Sequence, residues 1–166
     1  MGTKRVGLAR TQALIQNLKR EITMGVGTSL AGARSKVEAI DNTSAITIAL
    51  TEAEYPSGTL FSCDFSTASE NVDISMPAPT AGLSYRFAAK TAGGNSTVKL
   101  QAGSTILQGT IVCTDGTKEI VVGKRSVTFS ANKFEGGTIL EFVSDGTKWY
   151  VTGTALCDVG DIAVGT

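Results

Sequence analysis

"DGTKWYVTG", residues 145–153, holds the only tryptophan of the chain, and "DGTKEIVVG", residues 115–123, repeats its frame thirty positions earlier. In both places an apolar stretch runs into Asp-Gly and a new one starts within two residues. Asp-Gly is a strong hairpin signal, because both central positions of a two-residue turn favour positive φ. The twin phrases therefore predict hairpins over 110–122 and 138–152. With a two-residue turn, Leu140 and Phe142 share a face with Trp149 and Val151, since side chains alternate across a strand. Trp149 then anchors the core or a subunit interface, and Tyr150 points the other way. The repetition does not require duplication, because such hairpins recur by chance.

Working outward, the same alternation recurs in "AITIAL" 45–50, "LFSCDF" 60–65, "NVDISM" 71–76, "LSYRFA" 83–88, "TVKLQ" 97–101, "SVTFS" 126–130 and "TILEFV" 138–143. Ile46/Ile48/Leu50, Val72/Ile74/Met76 and Leu83/Tyr85/Phe87 each line one strand face. Turns bearing Gly, Asn, Asp or Ser separate many of these runs. Short strands at such spacing predict a mainly β domain over 37–166, an antiparallel β-sandwich, jelly-roll-like fold or compact barrel with a short C-terminal tail. The totals agree: 166 residues suit one domain, 42% hydrophobic content supplies a core, and 19 glycines against three prolines suit a turn-rich β protein.

Residues 1–36 read differently, as a basic helical arm and a Gly-rich connector. Thr3 can cap a helix over residues 3–23, in which Leu8, Ile15 and Ile22 fall seven apart, with Thr11 and Leu18 interleaved. Val6 and Leu14 widen that stripe. So short a helix is marginal alone, so its seam must pack on the parent domain, on sister copies or on a partner. Glycines at 25, 27 and 32 end the helix and make the connector. Charge is placed unevenly although the net is zero. Residues 1–36 carry seven basic side chains against Glu21 alone, a net of +6, and the remainder carries −6. Such an asymmetry predicts an anionic partner, whether nucleic acid, a membrane or an acidic protein surface.

Chemistry is thinly signalled. With no histidine in the chain, Ser-His and Cys-His pairs and imidazole metal sites are excluded. The segment "GTSLAGAR" 27–34 has phosphate-loop glycine spacing but lacks the Lys-Ser/Thr pair and follows a helix, so no nucleotide site is expected. Carboxylate neighbours stand at Glu52/Glu54, Glu70/Asp73 and Asp158/Asp161, and solvated turn acids are the plainer reading of each. "CDVGD" 157–161 lacks the calcium-loop pattern. Cys63, Cys113 and Cys157 are odd in number and widely spaced, which predicts buried free thiols rather than disulfides or zinc ligands. No apolar run is long enough for a membrane span, no secretory signal is visible, and neither a cofactor nor a metal is expected. Aromatic residues at 6% supply an oligonucleotide-stacking surface poorly.

The run "SENVDISMPAPTAGLSYRFAAKT" 69–91, with "LQGTIV" 107–112, "SVTFSA" 126–131 and "GGTILEFVSDGTKWYVTGTA" 136–155, resembles a β module of tailed-bacteriophage virion proteins. The opening "TKRVGLARTQALIQNLKRE" is similar to the N-terminal segment of small structural proteins of marine phages. The resemblance implies a non-enzymatic virion component on the particle surface, as a homotrimer. Such modules occur in capsid decoration (cement) proteins, head fibres and tail fibres. As decoration, the protein would be made in the host bacterial cytoplasm, bind the major capsid protein on the outer head surface and stabilise the shell. Lys4, Arg5, Arg10, Lys19 and Arg20 would then make polar contacts, and Leu8, Leu14, Ile15, Leu18 and Ile22 would pack a seam. The alternative is a tail- or head-fibre module that touches the host surface or its polysaccharide, with Tyr55, Tyr85 or Tyr150 in a groove. Neither a membrane nor a nucleic-acid partner is expected under either reading.

Overall fold

The computed structural model describes residues 12, 36–41, 46–66, 71–91, 94–103 and 106–166. The helical arm with its seam and cationic residues, and the glycine connector, lie outside the described residues apart from Gln12 and Lys36. Residues Ser35–Thr166 form a compact unit of their own.

Among the described residues that unit has twelve strands: β1 Val37–Asp41, β2 Ile46–Ala49, β3 Thr59–Asp64, β4 Val72–Ser75, β5 Ser84–Ala89, β6 Val98–Gln101, β7 Leu107–Cys113, β8 Lys118–Lys124, β9 Ser126–Phe129, β10 Ile139–Ser144, β11 Trp149–Ala155 and β12 Ile162–Gly165. They form a seven-stranded sheet in the order β1-β3-β5-β10-β11-β7-β8 and a five-stranded sheet in the order β12-β9-β6-β4-β2. The expectation of an all-antiparallel arrangement is corrected. Among the described residues β1–β3, β3–β5, β7–β11, β2–β4 and β4–β6 pair in parallel, and the other five pairings are antiparallel. The supposed C-terminal tail is also corrected, since Ile162–Gly165 pairs with β9 and closes one edge of the smaller sheet.

The reason for four of the five parallel pairs, all but β7–β11, is a winding chain. From β1 to β6 the chain alternates between sheets, so odd strands stack in one and even strands in the other. Register shows a step of 26 residues: Ile46, Val72 and Val98 are partners, as are Ile48, Ile74 and Leu100, and Phe61 pairs Phe87. Leu50, Met76 and Ala102 continue the same step and are all buried. Polar side chains repeat the rung, with Thr97 Oγ1 donating to Asn71 Oδ1 at 2.8 Å and Gln101 Nε2 to Ser75 Oγ at 2.7 Å. Each turn thus offers apolar residues to one shared interior. A parallel neighbour reached through the opposite sheet satisfies the requirement for a long crossover.

After β6 the winding stops. A fourth turn on the same step would lay Ile111 beside Tyr85, but β10 takes the place next to β5, antiparallel, with Leu140 opposite Phe87 and Phe142 opposite Tyr85. The Phe87 and Phe142 rings meet edge-on at 5.6 Å, and Phe61 stacks on Phe87 at 4.9 Å, so the aromatic row crosses three strands. β7 is displaced to the far side of β11.

Both Asp-Gly hairpins are present, but the loops between paired residues are longer than two, five residues in the first and four in the second. Val112 pairs Lys118, and Ser144 pairs Trp149. The added residues follow from the aspartate, whose side chain replaces a backbone acceptor inside the turn. Asp145 Oδ1 accepts from the Thr147 and Lys148 amides at 2.7 and 2.8 Å and from Thr147 Oγ1 at 2.9 Å. Asp115 Oδ1 accepts from the Thr117 amide at 2.9 Å and from the Thr117 hydroxyl. The recurrence of Asp-Gly-Thr-Lys is therefore the recurrence of one turn chemistry.

The inward faces of both sheets share a single core that includes Phe61, Phe65, Phe87, Phe129, Phe142 and Trp149. Leu140, Phe142, Trp149 and Val151 do face the same way, and Trp149 is fully buried. Its ring lies 5.8 Å from that of Tyr85, and its Nε1 donates to the Pro77 carbonyl at 3.2 Å.

Candidate functional site

The carboxylates singled out in the sequence are spread among structural duties. Glu52 accepts from Thr80 Oγ1 at 2.8 Å. Asp161 pairs with Lys133 at 3.1 Å and accepts from the Asp158 amide, which holds the short 3-10 turn before β12. Asp73 stands on the outward face of the smaller sheet opposite Lys99. Glu70 lies outside the described residues. No group of three His, Cys, Asp or Glu able to hold a metal occurs among the described residues, and no helix there is long and apolar enough to cross a membrane.

The most perturbed acids sit at the end of β3 and in the second hairpin turn. Asp64 is held well below the usual carboxylate range, chiefly by hydrogen bonds from Thr91 and Ser66, with Lys90 at 3.3 Å adding to them. Asp145 is lowered likewise by the Thr147 and Lys148 amides, the Thr147 hydroxyl and the Tyr150 hydroxyl. A depressed native pKa stabilises the fold above the ordinary carboxylate value near ~4, and that stability is lost as pH falls through it. The melting temperature is expected to fall from about pH 4 downward. Asp145→Asn should flatten that slope while lowering stability at neutral pH, as read by thermal melts between acid and neutral buffers.

The three cysteines are free and buried. Burial pushes the Cys63 thiol up to about 12, which leaves almost no thiolate at neutral pH. The three tyrosines do not converge. Tyr85 is core, with its hydroxyl donating to the Tyr55 carbonyl at 2.9 Å, which corrects its candidacy for an exposed groove. Tyr55 packs on Phe61 beneath Lys36, whose Nζ lies 5.1 Å from the ring centre. Tyr150 alone of the three is openly exposed.

What the fold does gather is an apolar surface. Val37, Val112, Ile120, Val122, Ile139, Val143 and Tyr150 are the exposed large apolar residues among those described. Strand register places every one of them on the outward face of the seven-stranded sheet. One transverse row reads Val37, Leu60, Arg86, Glu141, Thr152, Thr110, Ile120 across all seven strands. A second holds Ala88, Ile139, Thr154 and Val112, and a third Ser84, Val143, Tyr150, Gln108 and Val122. Arg86 and Glu141 pair with each other at 3.2 Å beside a recess lined by Gly58, Leu60, Ser84 and Tyr85. The outward face of the smaller sheet is of another kind, with Thr47, Asp73, Lys99, Thr128 and Ala163 in its main row.

Sequence reasoning passed over this surface. Its signal was present in "TILEFV", where Ile139 and Val143 alternate with the equally apolar Leu140 and Phe142, and in "EIVV", where Ile120 and Val122 flank Val121. Strands buried on both faces read as such near-continuous apolar runs, and here the outward members are exposed.

No protein-family model, curated protein or solved structure matches the chain.

Proposed function

We propose that this chain is a non-enzymatic structural protein of a bacteriophage particle, a decoration protein that binds the outer surface of the head as a trimer and stabilises the shell. The observation that carries the reading is the contrast between the two outward faces. One carries all seven exposed large apolar residues among those described and the other carries none, as in a building block that packs one side against protein and turns the other to water. The two-sheet body is then a β-sandwich-like cap, and the motif resemblance in residues 69–91 and 136–155 supplies the phage context.

Attachment falls to the basic arm. Seven cations in residues 1–36 suit an acidic shell surface, and the heptad-spaced apolar residues suit a groove or a three-helix seam. Three arms on one trimer gain avidity, because the second and third contacts are intramolecular. Each bridged contact favours the assembled shell by mass action. The fibre alternative draws less from the fold, since Tyr85 belongs to the core.

Deleting residues 1–23 is expected to weaken binding to empty phage heads by about a hundredfold or more. The β body should keep its melting temperature. Co-sedimentation with heads, followed by a calorimetric scan, reads both quantities. A truncated protein that still saturates the heads overturns the attachment role of the arm. Turnover of a small molecule by the pure chain overturns the non-enzymatic reading.

A further inference from the structure

We infer that the outward face of the seven-stranded sheet is the surface through which copies of this chain meet one another. The inference deepens the oligomeric reading above and rests on it for the number of copies, but the choice of face comes from the fold alone.

Composition comes first. Exposed apolar residues scattered singly need no explanation, whereas a contiguous set on one face marks an interaction site. Here Ile120 and Val122 on β8 are 64% and 63% exposed, and the set continues over the neighbouring strands through Val112, Tyr150, Val143 and Ile139, with Val37 standing beyond the Arg86–Glu141 pair on β1.

Charge then selects the occupant. The charges of this face balance: Arg86 pairs with Glu141 at its middle and Lys90 with Asp64 at one end, while Lys118 on β8 and Asp41 on β1 carry opposite signs at the rim. A partner on this face therefore needs no net charge of either sign. A strongly charged surface, such as a nucleic acid or an acidic shell, would leave the apolar rows unmatched. A second copy brings the same neutral, β-branched rows and matches them.

Size is consistent with that occupant. Seven strands at a spacing of about 4.8 Å and about 20 Å long make a face of roughly 600 Å². Two such faces bury about 1,200 Å², the lower end of the range for specific interfaces. β8, which carries Ile120 and Val122, is the terminal strand of its sheet, so the apolar surface runs to an edge.

The test is the mass of the full chain by sedimentation, compared with the double variant Ile120→Lys, Val143→Lys. Both positions are exposed, so the fold should tolerate lysine, and facing lysines repel across a contact between copies. The wild type is expected to sediment as an oligomer. The double variant should associate at least a hundredfold more weakly, with an unchanged circular dichroism spectrum. A monomeric wild type overturns the inference and leaves the face to another segment or another protein. A double variant with wild-type mass overturns it as well.

Should the double variant not fold, single cysteines decide. Because the native thiols are buried, Thr152→Cys on this face and Ala163→Cys on the other sheet each add one accessible thiol. Maleimide should label Thr152→Cys at least tenfold more slowly in the oligomer, and equal rates overturn the inference. A chain that associates through this face yet ignores phage heads retains the inference and loses the decoration role.

Discussion

Replacing Gly109 by alanine is expected to cost about 3–5 kcal/mol and to lower the melting temperature by about 8–16 °C. Gly109 lies inside β7, between Val151 of β11 and Val121 of β8, with φ at +141°. A Cβ there would stand 1.8 Å from the Val151 carbonyl oxygen and within 3 Å of that residue's backbone carbon and nitrogen. These are atoms of an interior strand, not the end of a flexible side chain, so relief means prising β7 from β11. That pairing runs seven residues, from Trp149 with Leu107 to Ala155 with Cys113. Gly116, at φ +79° in the first hairpin turn, has open space where a Cβ would go. Gly116→Ala should therefore cost only about 1 kcal/mol, the conformational term alone. Urea unfolding of both variants separates the cases. Equal costs would mean that the close approach of β7 to β11 is absent in solution.

Trp149→Ala should destabilise the protein by a similar amount, about 3–5 kcal/mol. The side chain is fully buried, lies against Tyr85 and donates to the Pro77 carbonyl. Truncation leaves a large cavity beneath the strand that joins the second hairpin to β7. Trp149→Phe keeps an aromatic ring but leaves the Pro77 oxygen without its indole donor, so about 1–2 kcal/mol is expected. Because the chain has a single tryptophan, its fluorescence reports this site directly. Native emission should be blue-shifted and should move to the red in one step with unfolding. A native spectrum resembling free indole in water would contradict the buried placement.

Both predictions concern the same seam, where the winding half of the molecule meets the hairpin half. Trp149 touches Tyr85 of the wound strands from β11, and Gly109 permits β7 to lie along the other side of β11. A loss at either place should therefore unlock the larger sheet near its middle. The outward face inferred to join copies crosses the same strands, so under that inference these variants should also weaken association in proportion to the unfolded fraction.

Much of this architecture could be read from local pattern. Alternation marked most of the strands and the buried side of each, so Phe61, Ile74, Phe87, Leu140 and Trp149 were assignable to the interior from their neighbours alone. The Asp-Gly-Thr-Lys phrases marked two hairpins, because a turn is made by the residues it contains. The 26-residue step from "ITIAL" to "VDISM" to "VKLQA" was also written in the chain, and comparison of Ile46, Val72 and Val98 would have disclosed the parallel winding.

Beyond the wound strands, tertiary structure alone decided which strand lies beside which. Alternation states that a face is buried but not what covers it, and strand pairing is non-local. Beside β5, where a fourth turn would otherwise lie, stands β10, with the Phe87 and Phe142 rings meeting edge-on. The same assembly brought Val37, Ile120, Val143 and Tyr150, more than a hundred residues apart at the extremes, onto one outward surface. No window of sequence contains that surface, because it exists only once seven strands have taken their order.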